Sequence, residues 1–349
     1  MSIENEANDA SAGPSSLTPA LFKRLHPKPY LERFLQERLR PDGRPLDDEH
    51  AAWRDASINI GSIATAPSSA LVRLGKTTVV CGITLEIAPP DMATPTHGFI
   101  GGSRQDRREC SYLLRCSTYR SYPFPKISVP NIDLPPLCSS LFRPGPPADE
   151  AQVLSSRLRD TLLSSNYVPL DSLCIEPSKA AWVIYLDLIC LNYDGSVLDA
   201  SVLAAVAAIR NLKLPQATWD VDTLSTICEP ISDEQPGRAL QLAETIPLTL
   251  SFGLYEELVP VLRQRLSDPQ KLTEKPLHTD SDLLPDPTLF ESQLCTSQIS
   301  ITVSSSSLRL LQVQQSGATG SKSSVEILKA SLGQARTRAK QLLVLLNSS

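Results

Sequence analysis

Aromatic residues make up only 5% of the 349 residues, methionine occurs twice and histidine four times. His26, His50, His97 and His278 are scattered, and no two of the eight cysteines (Cys81, Cys110, Cys116, Cys138, Cys174, Cys190, Cys228 and Cys295) stand as C-x-x-C. A zinc module needs clustered thiolate and imidazole ligands, so no metal and no cofactor site is expected. Apolar runs of membrane-spanning length are missing, because Asp199 interrupts the best one. Residues 1–20 are polar and small and do not open like a secretory leader. The cysteines are therefore expected as reduced thiols of a cytosolic or nuclear protein, several of them in core strands.

Positive charge is not in excess either: 33 Lys+Arg stand against 38 Asp+Glu, a formal charge of −5. A chain that grips nucleic acid by itself neutralises phosphates with basic side chains, so this balance argues against that class. It leaves room for a protein that meets RNA only inside a larger assembly. What is present is ordinary for a globular chain: 41% hydrophobic residues and enough length for one large or two medium domains.

Along the chain, residues 1–20 read as a disordered tail. In "PYLERFLQERLRPDGRP", Tyr30, Phe34, Leu35 and Leu39 recur at helical spacing until Pro41 and Asp42-Gly43 stop the helix. Strand patterns follow at Ile58 to Ile63, Leu71 to Leu74 and Thr77 to Ile87, with Gly75-Lys76 as a hairpin loop. Asp149 to Leu163 reads as a helix with Val153, Leu154, Leu158 and Leu162 on one face, capped by Asp149. Trp182 to Leu191 is a long buried strand, Asp194-Gly195 a turn, and Leu198 to Leu212 an Ala-rich helix ended by Pro215. Residues 215–245 look acidic and loop-like, "IPLTLSFGLY" and "SQISITVS" look like strands, and a long amphipathic helix closes the chain. This order of elements predicts an α+β fold, with sheets backed by helices in two halves, 21–214 and 215–349. Residues 101–128 and 256–284 interrupt it as inserted segments.

The first insertion is basic, with Arg104, Arg107, Arg108, Arg115 and Arg120 interleaved with Tyr112, Tyr119, Tyr122 and Phe124. Arginine with aromatics suits single-stranded RNA. The plainer reading is an accessory surface loop or translated non-coding sequence.

Four separated stretches, "RPDGRP", "INIGSIATAPSSALVRLGKTTVVCGI", "VPNIDLPPLCSSLFRPGPPADEAQVLSSRLRD" and "WVIYLDLICLNYDGSVLDASVLAAVAAI", resemble the RNase PH-like subunits of the RNA exosome. Within that family they resemble the branch without catalytic residues. The similarity covers about residues 25–100 and 129–215 well, and 245–345 more loosely. It implies a fold of two β-α-β-type subdomains and a hexameric ring shared with other RNase PH-like subunits. It also implies RNA-binding cap proteins on one face, RNA threaded to a separate 3′-to-5′ nuclease, and residence in nucleus, nucleolus and cytoplasm.

Active members of that family hold inorganic phosphate on a Gly-Arg-Ser turn at a helix start, where hydroxyl, guanidinium and backbone N–H groups donate to the anion. The matching turn here is Gly145-Pro146-Pro147, preceded by Arg143 and followed by Glu150. Arginine and serine are replaced, two backbone donors are lost to proline, and Glu150 adds repulsion. Losing several charged hydrogen bonds at roughly 1.5–3 kcal/mol each leaves no phosphate site. Active members also use an aspartate near the turn after the long strand as general acid. Asp194 and Asp199 lie there; the plainer readings are a hairpin-turn residue and a helix cap, respectively. Two alternatives stay open at this level: an active phosphorolytic exoribonuclease using Arg143 and Asp194, and a stand-alone RNA-binding protein working through residues 101–128.

Overall fold

The computed structural model describes residues 18–46, 52–92, 94–101, 130–223, 225–229, 237–255, 282–317 and 324–348. The chain divides into two compact units, Met1–Asp47 and Asp48–Ser349. The five arginines of the first insertion lie outside the described residues, as do residues 256–281 of the second. The last residues of that second segment are strand instead, from Asp282 to Pro285.

In the first unit, α1 (Pro19–Leu25) and α2 (Pro27–Gln36) each begin on a proline, whose fixed φ suits a first turn and whose missing N–H costs nothing there. Helix α1 starts inside the stretch expected as a tail. Helix α2 stops before Pro41, because Arg38 takes a left-handed conformation with φ of 55°. Leu39 therefore leaves the helical face and is 43% exposed, while Leu31 and Leu35 are buried. Phe22, Tyr30 and Phe34 stack along the pair, with ring centroids 6.4 and 5.0 Å apart.

The second unit is α+β. Its first sheet runs β1 (Ala56–Ile60), β2 (Ser68–Leu74), β3 (Thr77–Ala88) and β7 (Ala180–Asn192), with β4 (Phe99–Gly101), β5 (Asn131–Asp133) and β6 (Cys174–Glu176) all paired to β7. The loop Gly75-Lys76 closes the β2–β3 hairpin in the expected register, Leu74 opposite Thr77. Gly75 sits at φ of +56°, and a Cβ there would stand 2.7 Å from Cδ of Arg54, so both backbone and space require glycine.

Two helices cover one face of this sheet. One is α3 (Asp149–Ser165), which buries Leu154, Leu158 and Leu162. Val153, expected on that face, is 49% exposed: it precedes Leu154 by one position and points a quarter-turn away. The other is α4 (Val197–Arg210), buried from Val197 through Ile209 because it lies between the two sheets. An apolar helix without a polar face is what a central position demands.

After α4 come β8 (Lys213–Leu214), β9 (Ala217–Asp220), β10 (Ser225–Cys228) and β11 (Arg238–Ala239). Strands β9 and β10 form a hairpin in the stretch expected to be loop. Its strands are four residues each, too short to show a periodic pattern.

The second sheet has the order β13-β12-β14-β15, with β12 (Pro247–Tyr255), β13 (Asp282–Pro285), β14 (Ser297–Ser304) and β15 (Leu310–Gly317). A short α5 (Leu289–Leu294) precedes β14, and α6 (Ser324–Ser348) packs on this sheet through Ile327, Ala335, Ala339, Leu342 and Leu346. One continuous apolar core joins both sheets, α3, α4 and α6. Within it, Trp53 meets Phe252 edge-on at 5.5 Å, an arrangement favoured by the ring quadrupoles.

Candidate functional site: a proline-rich bend and a buried charge knot

The bend expected to replace a phosphate turn runs from Arg143 to Pro147 in front of α3. Arg143, Pro144, Gly145, Pro146 and Pro147 are all exposed. The residue at the helix N-cap is Ala148, whose side chain caps nothing; Asp149, expected as the cap, is instead the first helical residue. Asp149 and Glu150 place two carboxylates in the first turn, favourable against the positive end of the helix and unfavourable to an incoming anion. Glu150 does not point free into solvent: its carboxylate accepts a short hydrogen bond from the Tyr193 hydroxyl at the end of β7. Burial, and then Glu150, push the Tyr193 phenol strongly up, so it stays a donor. Phe142 packs edge-on against the same ring at 5.3 Å. The residues on either side of the bend, Phe142 and Glu150, are thus tied to Tyr193 at the end of β7.

Asp194 and Asp199 take part in a separate cluster that the sequence did not reveal. Arg54, just before β1, is its centre. Its Nε and Nη2 donate to the two oxygens of Asp286 at 2.8 and 2.6 Å, a bidentate pair with both side chains almost fully buried. Its Nη1 donates to the Asp194 carbonyl at 2.8 Å and to Thr77 Oγ1 at 3.2 Å, and Nη2 to the Gly195 carbonyl at 3.3 Å. The Asp194 carboxylate lies 3.9 Å from Nη1 and is 28% exposed. Asp194 therefore occupies a strand-to-helix turn, where its backbone carbonyl receives a guanidinium, and not a hairpin. Gly195 holds φ of +79°, and a Cβ there would lie 2.5 Å from the Pro287 carbonyl. Only glycine lets the two turns approach so closely.

Asp199 is not a cap. Ser196 occupies the N-cap position of α4, and the Asp199 carboxylate reaches the second sheet, accepting from Ser251 N at 2.7 Å and Ser251 Oγ at 2.8 Å. It is 6% exposed. Burial first, then the charge of Asp286, push it up to about 8 against the pull of the Ser251 bonds and Arg54. A cavity of about 20 Å³, room for one water, lies beside it and is also lined by Asp286, Thr249 and Arg338. Arg338 from α6 closes the cluster, donating to the Arg54 carbonyl and lying 5.7 Å over the Trp53 ring.

The structure thus separates the five bend residues from the two aspartates in role. Glu150 and Tyr193 anchor the bend; Asp194 and Asp199, with Arg54 and Asp286, tie the first sheet to the second. Arg54 and Asp286 stand 232 positions apart, and no local pattern links them. One local signal was legible: Thr288-x-x-Glu291 is a capping box, and it starts α5 directly after Asp286. Among the described residues no group of three or more His, Cys, Asp and Glu side chains is arranged to hold a metal ion. No helix among them is long and apolar enough to cross a membrane.

Residues 52–215 match the model of the 3′ exoribonuclease family, domain 1 (RNase PH). The chain is 43% identical over 213 residues to exosome complex component rrp43 of Schizosaccharomyces pombe, an alignment covering 61% of this chain and 67% of that protein. It is 34% identical over 202 residues to exosome complex component Rrp42 of Sulfurisphaera tokodaii, covering 58% of this chain and 62% of that one. In three dimensions it superposes with a TM-score of 0.63 and 24% identity on a chain of the Archaeoglobus fulgidus exosome with RNA bound to the active site, covering 90% of this chain and 95% of the other. The expected α+β fold is therefore the RNase PH fold, and the chain belongs to the RNase PH family, among the exosome components.

Proposed function

We propose that the chain is a non-catalytic ring subunit of an RNA exosome, assembled with other RNase PH-like subunits and supporting 3′-to-5′ RNA processing and decay. In this reading cap proteins bind RNA on one face, and a separate nuclease cuts what the ring passes on. The names of the similar proteins support membership of such an assembly. The observation that carries the non-catalytic part is the start of α3. Its approach is Gly145-Pro146-Pro147, its first turn carries Asp149 and Glu150, and Glu150 is engaged by Tyr193. An oxyanion arriving there meets two carboxylates and a backbone stripped of two N–H donors. Exposed Arg143 alone does not rebuild a cradle of several charged donors.

The same reading removes the acid. Asp199 has both oxygens committed to Ser251, and Asp194 faces a buried guanidinium. Neither group is poised to protonate a leaving 3′ oxygen.

The test combines assembly and activity. Co-expressed with RNase PH-like paralogues, the chain is expected to co-purify as a stable hetero-oligomer. Incubated alone with single-stranded RNA, orthophosphate and magnesium, it is expected to release no nucleoside diphosphate. A chain that stays monomeric beside its paralogues overturns the first part. Diphosphate release that disappears in Asp194→Ala overturns the second.

A further inference from the structure

Helix α6 buries Ile327, Ser331, Ala335, Ala339 and Leu342 at spacings of three and four, which turns its opposite face to solvent. That outer face carries Lys329, Gly333, Arg336 and Lys340, all exposed. Arg336 Nε donates to the Leu308 carbonyl at 3.1 Å, which fixes the guanidinium beside the exposed Arg309 in the β14–β15 loop. Among the described residues no carboxylate pairs with Lys329, Arg336, Lys340 or Arg309. Arg336 and Lys340 stand four positions apart, so their repulsion weakens the helix. The chain as a whole carries −5, so this surplus of positive charge is local.

Gly333 is a second, independent observation. Glycine in a helix interior costs stability relative to alanine. A Cβ at Gly333 would meet nothing within 4 Å, so packing within the chain does not require glycine there. It leaves a notch of bare backbone between Lys329 and Arg336.

We propose that the outer face of α6 binds the sugar-phosphate backbone of single-stranded RNA, with Lys329, Arg336, Lys340 and Arg309 on the phosphates and the strand passing close over Gly333. From Lys329 to Lys340 the stripe runs about 16 Å at 1.5 Å per residue, enough for several phosphates. Phosphate contacts need cations and access, and they read no sequence. A protein partner calls for an apolar centre, whereas here glycine stands in the middle and the exposed Val325 and Val344 lie beyond the two ends. So few contacts make a weak grip, in keeping with the acidic balance of the chain. The site uses none of the residues at the start of α3. The choice of RNA among polyphosphates rests on the proposed function; the cationic face does not.

The experiment measures anisotropy of a labelled oligouridylate with the isolated full chain across roughly 50–200 mM salt. Lys329→Ala/Lys340→Ala should lower the slope of log affinity against log salt by about 1.4, at about 0.7 per cation, and weaken binding roughly tenfold at the low-salt end. Lys213→Ala/Arg238→Ala removes the same charge from β8 and β11 and should leave the slope unchanged. Gly333→Leu keeps every cation, so it should bind several-fold more weakly at the parent slope, with a thermal midpoint at or above that of the parent. The proposal is overturned if the α6 double variant keeps the parent slope, if the β8–β11 variant lowers it equally, or if Gly333→Leu binds as the parent does. Polyglutamate bound as tightly as RNA of equal charge, with the same loss in the α6 double variant, would overturn it in favour of an acidic protein partner. The assay needs no paralogue, so its failure is distinguishable from failure of the chain to co-purify with other RNase PH-like subunits.

Discussion

Truncating Arg54 to alanine tests the charge knot most severely. The guanidinium makes two charge-assisted bonds to Asp286 and three to the Asp194 and Gly195 carbonyls and Thr77. At roughly 1.5–3 kcal/mol each, the two charged bonds alone amount to about 3–6 kcal/mol. Asp286 is 4% exposed, so water does not take over the lost partner. Breaking one side of a buried pair costs about 3–5 kcal/mol elsewhere, and a loss near 4 kcal/mol is the expected value here. Urea unfolding followed by tryptophan fluorescence should show the midpoint falling by roughly 1 M or more at unchanged slope. In Arg54→Met/Asp286→Leu the costs should be less than additive, with a coupling of about 2 kcal/mol or more. A loss under about 1 kcal/mol for Arg54→Ala at unchanged slope would refute the knot as the tie between the sheets.

Three further outcomes follow from the same geometry. Because Asp199 is raised to about 8, the folded chain keeps a proton that the unfolded chain releases near pH 4. Stability is then highest below about pH 4 for this group and declines as pH rises towards about 8; thermal midpoints measured across that window should decline less in Asp199→Asn than in the parent chain. Gly75→Ala forces a Cβ into left-handed backbone 2.7 Å from Cδ of Arg54, and should cost about 1–3 kcal/mol in the same urea assay. Thr288→Ala removes one half of the capping box on α5 and should cost about 1 kcal/mol, with Thr288→Ser recovering most of it.

The parts of the fold legible in the sequence are those specified locally. Gly75-Lys76 between two alternating runs marked a hairpin, and the structure closes it in that register. The Ala-rich stretch after Asp194-Gly195 marked a helix over Leu198 to Leu212, and it is α4, Val197–Arg210, buried from Val197 to Ile209. The misplacements are local too, by a residue or a turn. Leu39 and Val153 were assigned to helical faces they leave, and the N-cap positions assigned to Asp149 and Asp199 are occupied by Ala148 and Ser196, neither of which makes a side-chain cap bond. Acidic residues in a first helical turn look alike whether they cap, sit one position later, or reach across to another sheet. The Arg54–Asp286 pair was invisible for a different reason. Its specificity lies in a tertiary approach of two turns, which no spacing within a window records. The proline content of the bend is readable directly, because proline fixes φ and removes an N–H donor wherever it stands.

The central claim is that the start of α3 no longer holds orthophosphate. Crystals of the full chain soaked in orthophosphate test it directly. The account predicts Glu150 still bonded to Tyr193 and no ion beside Gly145. A phosphate seated there, held by Arg143 and the N–H groups of the first turn of α3, would contradict it.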